Sequence, residues 1–321
     1  MQDRSASSIA DAASSGDKMG LLIGFSTILV VIACGTALAH VGVLDARSQR
    51  TLAEIAFFVA SPALMVVTIG GMHVAGAATN LVASAAALVA SFAVYAAISR
   101  LRWRLNGGSV LIGSLAASYV NAGNLGLAIA AYVVGDITVV VPTLLVQMLF
   151  VQPLVLVALD RRAGRGSGAV PVLRRLVTNP LTLAASFGLV LATTDLVLPP
   201  VVEEPLRLIA GAAIPLMLMS FGASLRLSPA LGRSGHNREV VLVLLLKLGF
   251  MPVVAWLVGT ALGLDGPVLL GVVMTAALPT AQNIFLHATR YRVGEDVSRE
   301  SIMVTTLFSL PVVLLVAVLL G

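Results

Sequence analysis

Apolar residues in this chain run on in blocks of about 20, separated by short polar stretches, and each block is long enough to cross the hydrocarbon core of a bilayer as a helix. Loop signals between the blocks predict ten spans: 19–44, 51–69, 77–99, 109–134, 139–159, 180–198, 205–225, 240–262, 267–289 and 301–320. The fold class expected is therefore an all-α integral membrane protein. Residues 1–18 are polar and rich in small side chains, and read as a disordered tail ahead of the first helix rather than a cleaved signal peptide.

Basic residues orient the spans, because Lys and Arg in short loops stay on the cytoplasmic side. Odd-numbered loops carry Arg47 and Arg50; Arg100, Arg102 and Arg104; Arg161, Arg162, Arg165, Arg174 and Arg175; Arg226, Arg233 and Arg238; and Arg290, Arg292 and Arg299. Even loops and both tails hold only Arg4, Lys18 and Arg207. Both termini are accordingly expected to be extracytoplasmic. Composition agrees: 58% hydrophobic, 11% charged and a mean hydropathy of +1.01 exclude a soluble domain. The net charge of +5 follows from the loop pattern and needs no nucleic-acid partner. A single cysteine, Cys34, excludes an internal disulfide, and no metal or cofactor is expected.

The basic stretch 160–179 divides the spans five and five, into units 19–159 and 180–321, and the halves share patterns. "FVQPLVLVAL" (150–159) matches "FSLPVVLLVA" (308–317), aligning Pro153 with Pro311; "SPALMVVTIGG" (61–71) resembles "IPLMLMSFGAS" (214–224), aligning Pro62 with Pro215; "NAGN" (121–124) falls against "TAQN" (280–283), aligning Asn124 with Asn283. An odd number of spans per unit inserts the second copy upside down, giving an inverted repeat. Secondary transporters are built this way, with their sites near mid-membrane on interrupted helices at the repeat interface.

Spans four and nine are the interrupted ones. A helix is broken inside lipid only where protein or a water-filled cavity takes up the freed backbone groups. Asn121 and Asn124 supply amide donors and acceptors, and Gly123 and Gly126 allow close backbone approach. In the ninth span Pro279 removes a helical hydrogen bond just before Thr280, Gln282 and Asn283. Lys247 is the sole basic residue well inside a span. Two readings stay open for it: snorkelling to the cytoplasmic edge, or a substrate or coupling role in the bundle interior. Glu54 is a possible partner for Lys247, or a helix-end residue beside Arg50. His287 shares a helix face with Asn283, as a structural histidine or a proton carrier. Tyr119 and Gln147 are further polar groups that can line a cavity. All 15 acidic residues lie in tails, loops or span ends, which excludes a mid-membrane carboxylate dyad. Helix N-termini, amides and a lysine favour an anion instead. No nucleophile–base pair, metal-ligand spacing or phosphate loop supports an enzyme.

"NAGNLGL" in the fourth span, Asn179–Pro180 opening the sixth, "LMSFGASL" (218–225) closing the seventh and "LPTAQNIFLHATRY" (278–291) in the ninth resemble the auxin efflux carrier family, from about residue 20 onward. The resemblance implies a scaffold of spans one, two, six and seven and a transport domain of the other six, with broken helices four and nine crossing at mid-membrane, a fold akin to bile-acid/sodium symporters and sodium/proton antiporters. It implies a substrate site at Asn121, Asn124, Pro279, Thr280, Gln282 and Asn283, with elevator-type alternating access. It further implies transport of small organic anions, whether malate- or malonate-like or auxin-like acids, in a bacterial inner membrane, and a homodimer through scaffold helices. The loop between spans five and six is far shorter than that of plant exporters. A sodium-coupled symporter, with sodium at Asn124, Thr280 and Gln282, is an alternative. So is a receptor or sensor, although no cytoplasmic output domain is apparent.

Overall fold

The computed structural model describes residues 23, 26–71, 77–164, 180–194, 196–227 and 235–321, with the side chains of Ala77, Asn124 and Leu149 excepted. The tail 1–18, most of the 160–179 linker, Asn179, Arg233 and the Asn124 side chain lie outside this set. Among the described residues the chain is all helix apart from one isolated β-bridge.

We label the helices α1 (Ser26–His40), α2 (Ala46–Gly70), α3 (Ala78–Arg102), α4 (Gly107–Ser118), α5 (122–134), α6 (Ile137–Arg162), α7 (Pro180–Thr194), α8 (Pro200–Leu227), α9 (Asn237–Ala261), α10 (Gly266–Ala276), α11 (Asn283–Tyr291) and α12 (Glu295–Leu320). Six of them (α2, α3, α6, α8, α9 and α12) are long and apolar enough to cross a membrane, and α1, α4, α7 and α10 are shorter apolar helices. Several outrun their expected spans. α2 begins five residues early because Asp45 caps it, accepting from the Ser48 N–H at 2.7 Å. α12 starts at Glu295 rather than 301, carrying acidic residues in its first turn where the helix dipole favours them.

Two groups of helices pack within themselves. α2 lies along α7 and α8, and α1 crosses α8 so closely that a Cβ at Gly35 would collide with the Met219 backbone and one at Gly222 with the Ile32 backbone. Thr36 Oγ1 fixes that crossing by donating to the Gly222 carbonyl at 2.8 Å. Small residues at such crossings are how apolar helices approach one another in lipid. In the other group α3 packs on α4 and α9, and α12 on α9, α10 and α11. A single π-turn closes α3 at residues 98–102, and others interrupt α6 and α9 at 146–151 and 246–250; such turns often mark functional positions.

Candidate substrate site at the crossing of two broken helices

α4 stops at Ser118 and α10 at Ala276, and in both cases the chain runs extended for a few residues before helix resumes at 122 and 283. The two extended stretches meet. The Asn121 N–H donates to the Pro279 carbonyl at 2.8 Å and the Ala281 N–H to the Tyr119 carbonyl at 3.2 Å, pairing Val120 with Thr280 as an antiparallel bridge. Each break therefore supplies part of what the other lost.

In such a bridge the backbone groups of the central pair point outward, and a polar side chain meets each of them. Gln147 of α6 handles Val120 completely: its Oε1 accepts from the Val120 N–H, and its Nε2 donates to the Val120 carbonyl at 3.2 Å. Thr305 of α12 does half as much for Thr280, its Oγ1 accepting from the Thr280 N–H at 3.1 Å. Thr280 also donates its hydroxyl to the Ala116 carbonyl at 2.6 Å, tying the second break to the end of α4. Gln147 and Thr305 are 158 residues apart, the same offset as Pro153 and Pro311. Sequence reasoning missed Thr305, and that offset was the signal available.

Several expectations change here. Gln147 was expected to line the cavity; it is buried, and both polar ends of its amide are engaged by Val120, so it builds the crossing. Gly123 was expected to admit a close backbone, but a Cβ there would meet nothing nearer than Leu144 Cδ2 at 3.8 Å. Gly126 is the tight one, facing Leu278 and Val140 at 2.8 and 3.0 Å. Lys247 does not snorkel: its side chain is fully buried, with Met251 Sδ at 3.8 Å. Glu54 is not brought to Lys247; it pairs with Arg50 at 3.0 Å and is 53% exposed.

The remaining candidates gather at the crossing. Asn121 is buried, and its Nδ2 has no partner among the described residues. Asn283 opens α11 with an unpartnered Oδ1 and engages the Tyr119 hydroxyl, which also donates to Gln152 Oε1 at 2.9 Å. His287 follows one turn later on α11. Gln282 reaches the other helix group, donating from Nε2 to Ser224 Oγ of α8 at 3.2 Å. The first turn of α5 also packs against α8. Neither resuming helix has a side-chain cap: Asn121 and Gln282 occupy the N-cap positions without capping bonds. Two helix N-termini without side-chain caps and an unpartnered Asn121 amide donor thus meet at the crossing, which suits an anion. Among the described residues no group of His, Cys, Asp and Glu could hold a metal ion.

Residues 169–317 match the family model described as "Membrane transport protein", a stretch that contains α7 to α11 and most of α12. Auxin efflux carrier component 7 of Arabidopsis thaliana is 26% identical over 156 residues, 47% of this chain and 25% of that protein. Auxin efflux carrier component 3a of Oryza sativa subsp. japonica is 28% identical over a stretch of the same extent. A protein named "Putative malonate transporter" from Rhizobium meliloti (strain 1021) is 27% identical over 206 residues, covering 62% of this chain and 63% of its own length. The matched region thus spans about a quarter of the plant carriers. The second broken helix lies inside the matched stretch, and over that stretch the chain is similar to a membrane transport family model and to carriers of the auxin efflux type.

Proposed function

We propose that this protein is a secondary carrier of small organic anions that works by elevator-type alternating access. The observation that carries the proposal is the bridged crossing with its two uncapped helix N-termini and the unpartnered Asn121 amide. A carboxylate there would accept hydrogen bonds from Asn121, from the amides opening α5 and α11, and from Gln282, without meeting an opposing carboxylate. Dicarboxylates of malonate size are the substrate class we favour, since the bacterial relative matched over the greater part of its length carries that name.

The architecture we infer is ten spans in two inverted five-helix repeats, with α4–α5 and α10–α11 as the broken fourth and ninth. The shared 158-residue offset of Gln147 and Thr305, each serving the break of its own half in like manner, supports that reading. So does the separate packing of α1, α2, α7 and α8, which we take as the scaffold, with the other helices as the moving domain. Gln282–Ser224 and the α5–α8 contact then span the sliding surface. From the arginine distribution we assign the ends of α3, α6 and α8 and the starts of α9 and α12 to the cytoplasmic side of a bacterial inner membrane, with both termini outside and a homodimer through the scaffold. Thermal stabilisation of the purified protein by a panel of organic anions tests the substrate class. Malonate or malate is expected to raise the unfolding midpoint while amines do not, and stabilisation by amines alone would contradict the reading.

A further inference from the structure

Lys247 is the fully buried charged side chain of α9, and the transport reading above does not use it. Its π-turn, residues 246–250, packs on α3, α4 and α12. Each of those helices brings a buried hydroxyl with no hydrogen-bond partner among the described residues: Tyr95 from α3, Ser114 from α4 and Ser301 from α12. The Tyr95 hydroxyl lies against Gly113, the residue before Ser114. Four helices that pack together thus carry an amine whose contact is the weak acceptor Met251 Sδ and three hydroxyls with no hydrogen-bond partner among the described residues, which is rare for buried polar groups.

A line of residues leads from this cluster to one end of the bundle. Glu239, Val243 and Lys247 recur every fourth residue on one face of α9, all buried, so Glu239 lies about 12 Å along the axis from Lys247. Glu239 exerts its charge on Tyr95 and bonds His236 Nδ1 at 2.9 Å. Both Glu239 and His236 line a cleft of about 470 Å³, with Asn106, Ser109, Arg292 and Glu295. Its lining comes from the residues just before and at the starts of α4, α9 and α12.

We propose that Lys247 is a proton carrier, loaded from this cleft by way of Glu239 and Tyr95. The proposal rests on the anion-carrier reading for its purpose: a proton taken up with each carboxylate reduces the charge that crosses the membrane. In chemical terms the Nζ lone pair takes a proton from hydronium delivered along the hydroxyls, giving an ammonium and water, and later returns it to water; no other bond changes. Full burial limits what reaches the amine in this arrangement to a proton or a water molecule. Other charged groups sit on the surrounding helices. Arg299 pairs with Asp296 at 2.9 Å, Arg238 stacks on Trp103 at 5.2 Å, and Glu300 is buried on α12 directly before Ser301.

The chain has just two lysines, Lys18 and Lys247, so selective labelling of the lysine Cε and Nζ gives two resonances, assigned with Lys247→Met. In lipid nanodiscs Lys247 is expected to interconvert between amine and ammonium across a pH series in which Lys18 stays an ammonium. Glu239→Gln and Tyr95→Phe are expected to slow proton exchange at Lys247 alone. A Lys247 that remains an ammonium throughout, or exchange untouched by both substitutions, overturns the proposal. In proteoliposomes containing a pH-sensitive dye, malonate flux through the wild type is expected to move protons, and flux through Lys247→Met to move malonate without them. Protons accompanying malonate in Lys247→Met at the wild-type ratio also overturn it. A wild type that carries no malonate refutes the substrate reading instead, and leaves the resonance result to decide on Lys247.

Discussion

Replacing Gln147 by leucine, which is nearly the same size, strips the crossing of a donor and an acceptor at once. The Val120 N–H and carbonyl, both buried, lose the partners that Gln147 gives them. A buried polar group left unpaired costs about 1–3 kcal/mol, so two cost about 2–6 kcal/mol. Thr305→Val, its counterpart on α12, abandons only the Thr280 N–H and is expected to cost about 1–3 kcal/mol. The repeat relationship therefore predicts an ordered pair of losses. Unfolding followed by circular dichroism in detergent measures both, and Gln147→Glu adds a check, since a carboxylate can accept from the Val120 N–H but repels its carbonyl. Gln147→Leu costing no more than Thr305→Val would refute the account of how the crossing is held.

Other consequences are more local. Gly35→Ala and Gly222→Ala place a methyl into facing backbone, so each is expected to reduce folded yield strongly in size-exclusion profiles, whereas Gly123→Ala, with open space to Leu144, leaves the profile unchanged. Ser224→Ala removes the acceptor that Gln282 uses on α8; if that bond holds the present arrangement, exchange rates in proteoliposomes rise while the unfolding midpoint moves little. Glu54→Ala breaks a solvent-exposed pair worth about 0–1 kcal/mol, so stability and uptake both stay at the wild-type level.

The two breaks were legible because asparagine, glycine and proline inside an apolar run mark where a helix in lipid gives up its own hydrogen bonds. Their roles were harder to read. Gln147 announces a hydrogen-bonding need but not its direction, and only the folded chain turns it onto Val120. Thr305 resembles any threonine bonded back to its own helix, which it also is, donating to the Ser301 carbonyl at 2.7 Å. Lys247 was within snorkelling reach by count along the helix, yet helix count carries no information on which neighbours close over a side chain; α3, α4 and α12 do so. Helix ends ran past the apolar blocks because caps such as Asp45, rather than hydropathy, terminate them. Ser224 could not be paired with Gln282 from sequence, since 58 residues and two helix groups separate them.

The central claim is that the bridged crossing is where the substrate binds. Uptake of labelled malonate by proteoliposomes containing wild type, Asn121→Ala or Gln282→Ala tests it most directly. Losing one hydrogen bond to a charged ligand is worth about 1.5–3 kcal/mol, so each variant is expected to need roughly ten-fold to a hundred-fold more substrate for half-maximal uptake. Wild-type uptake in both variants, with folded protein verified, would contradict the account.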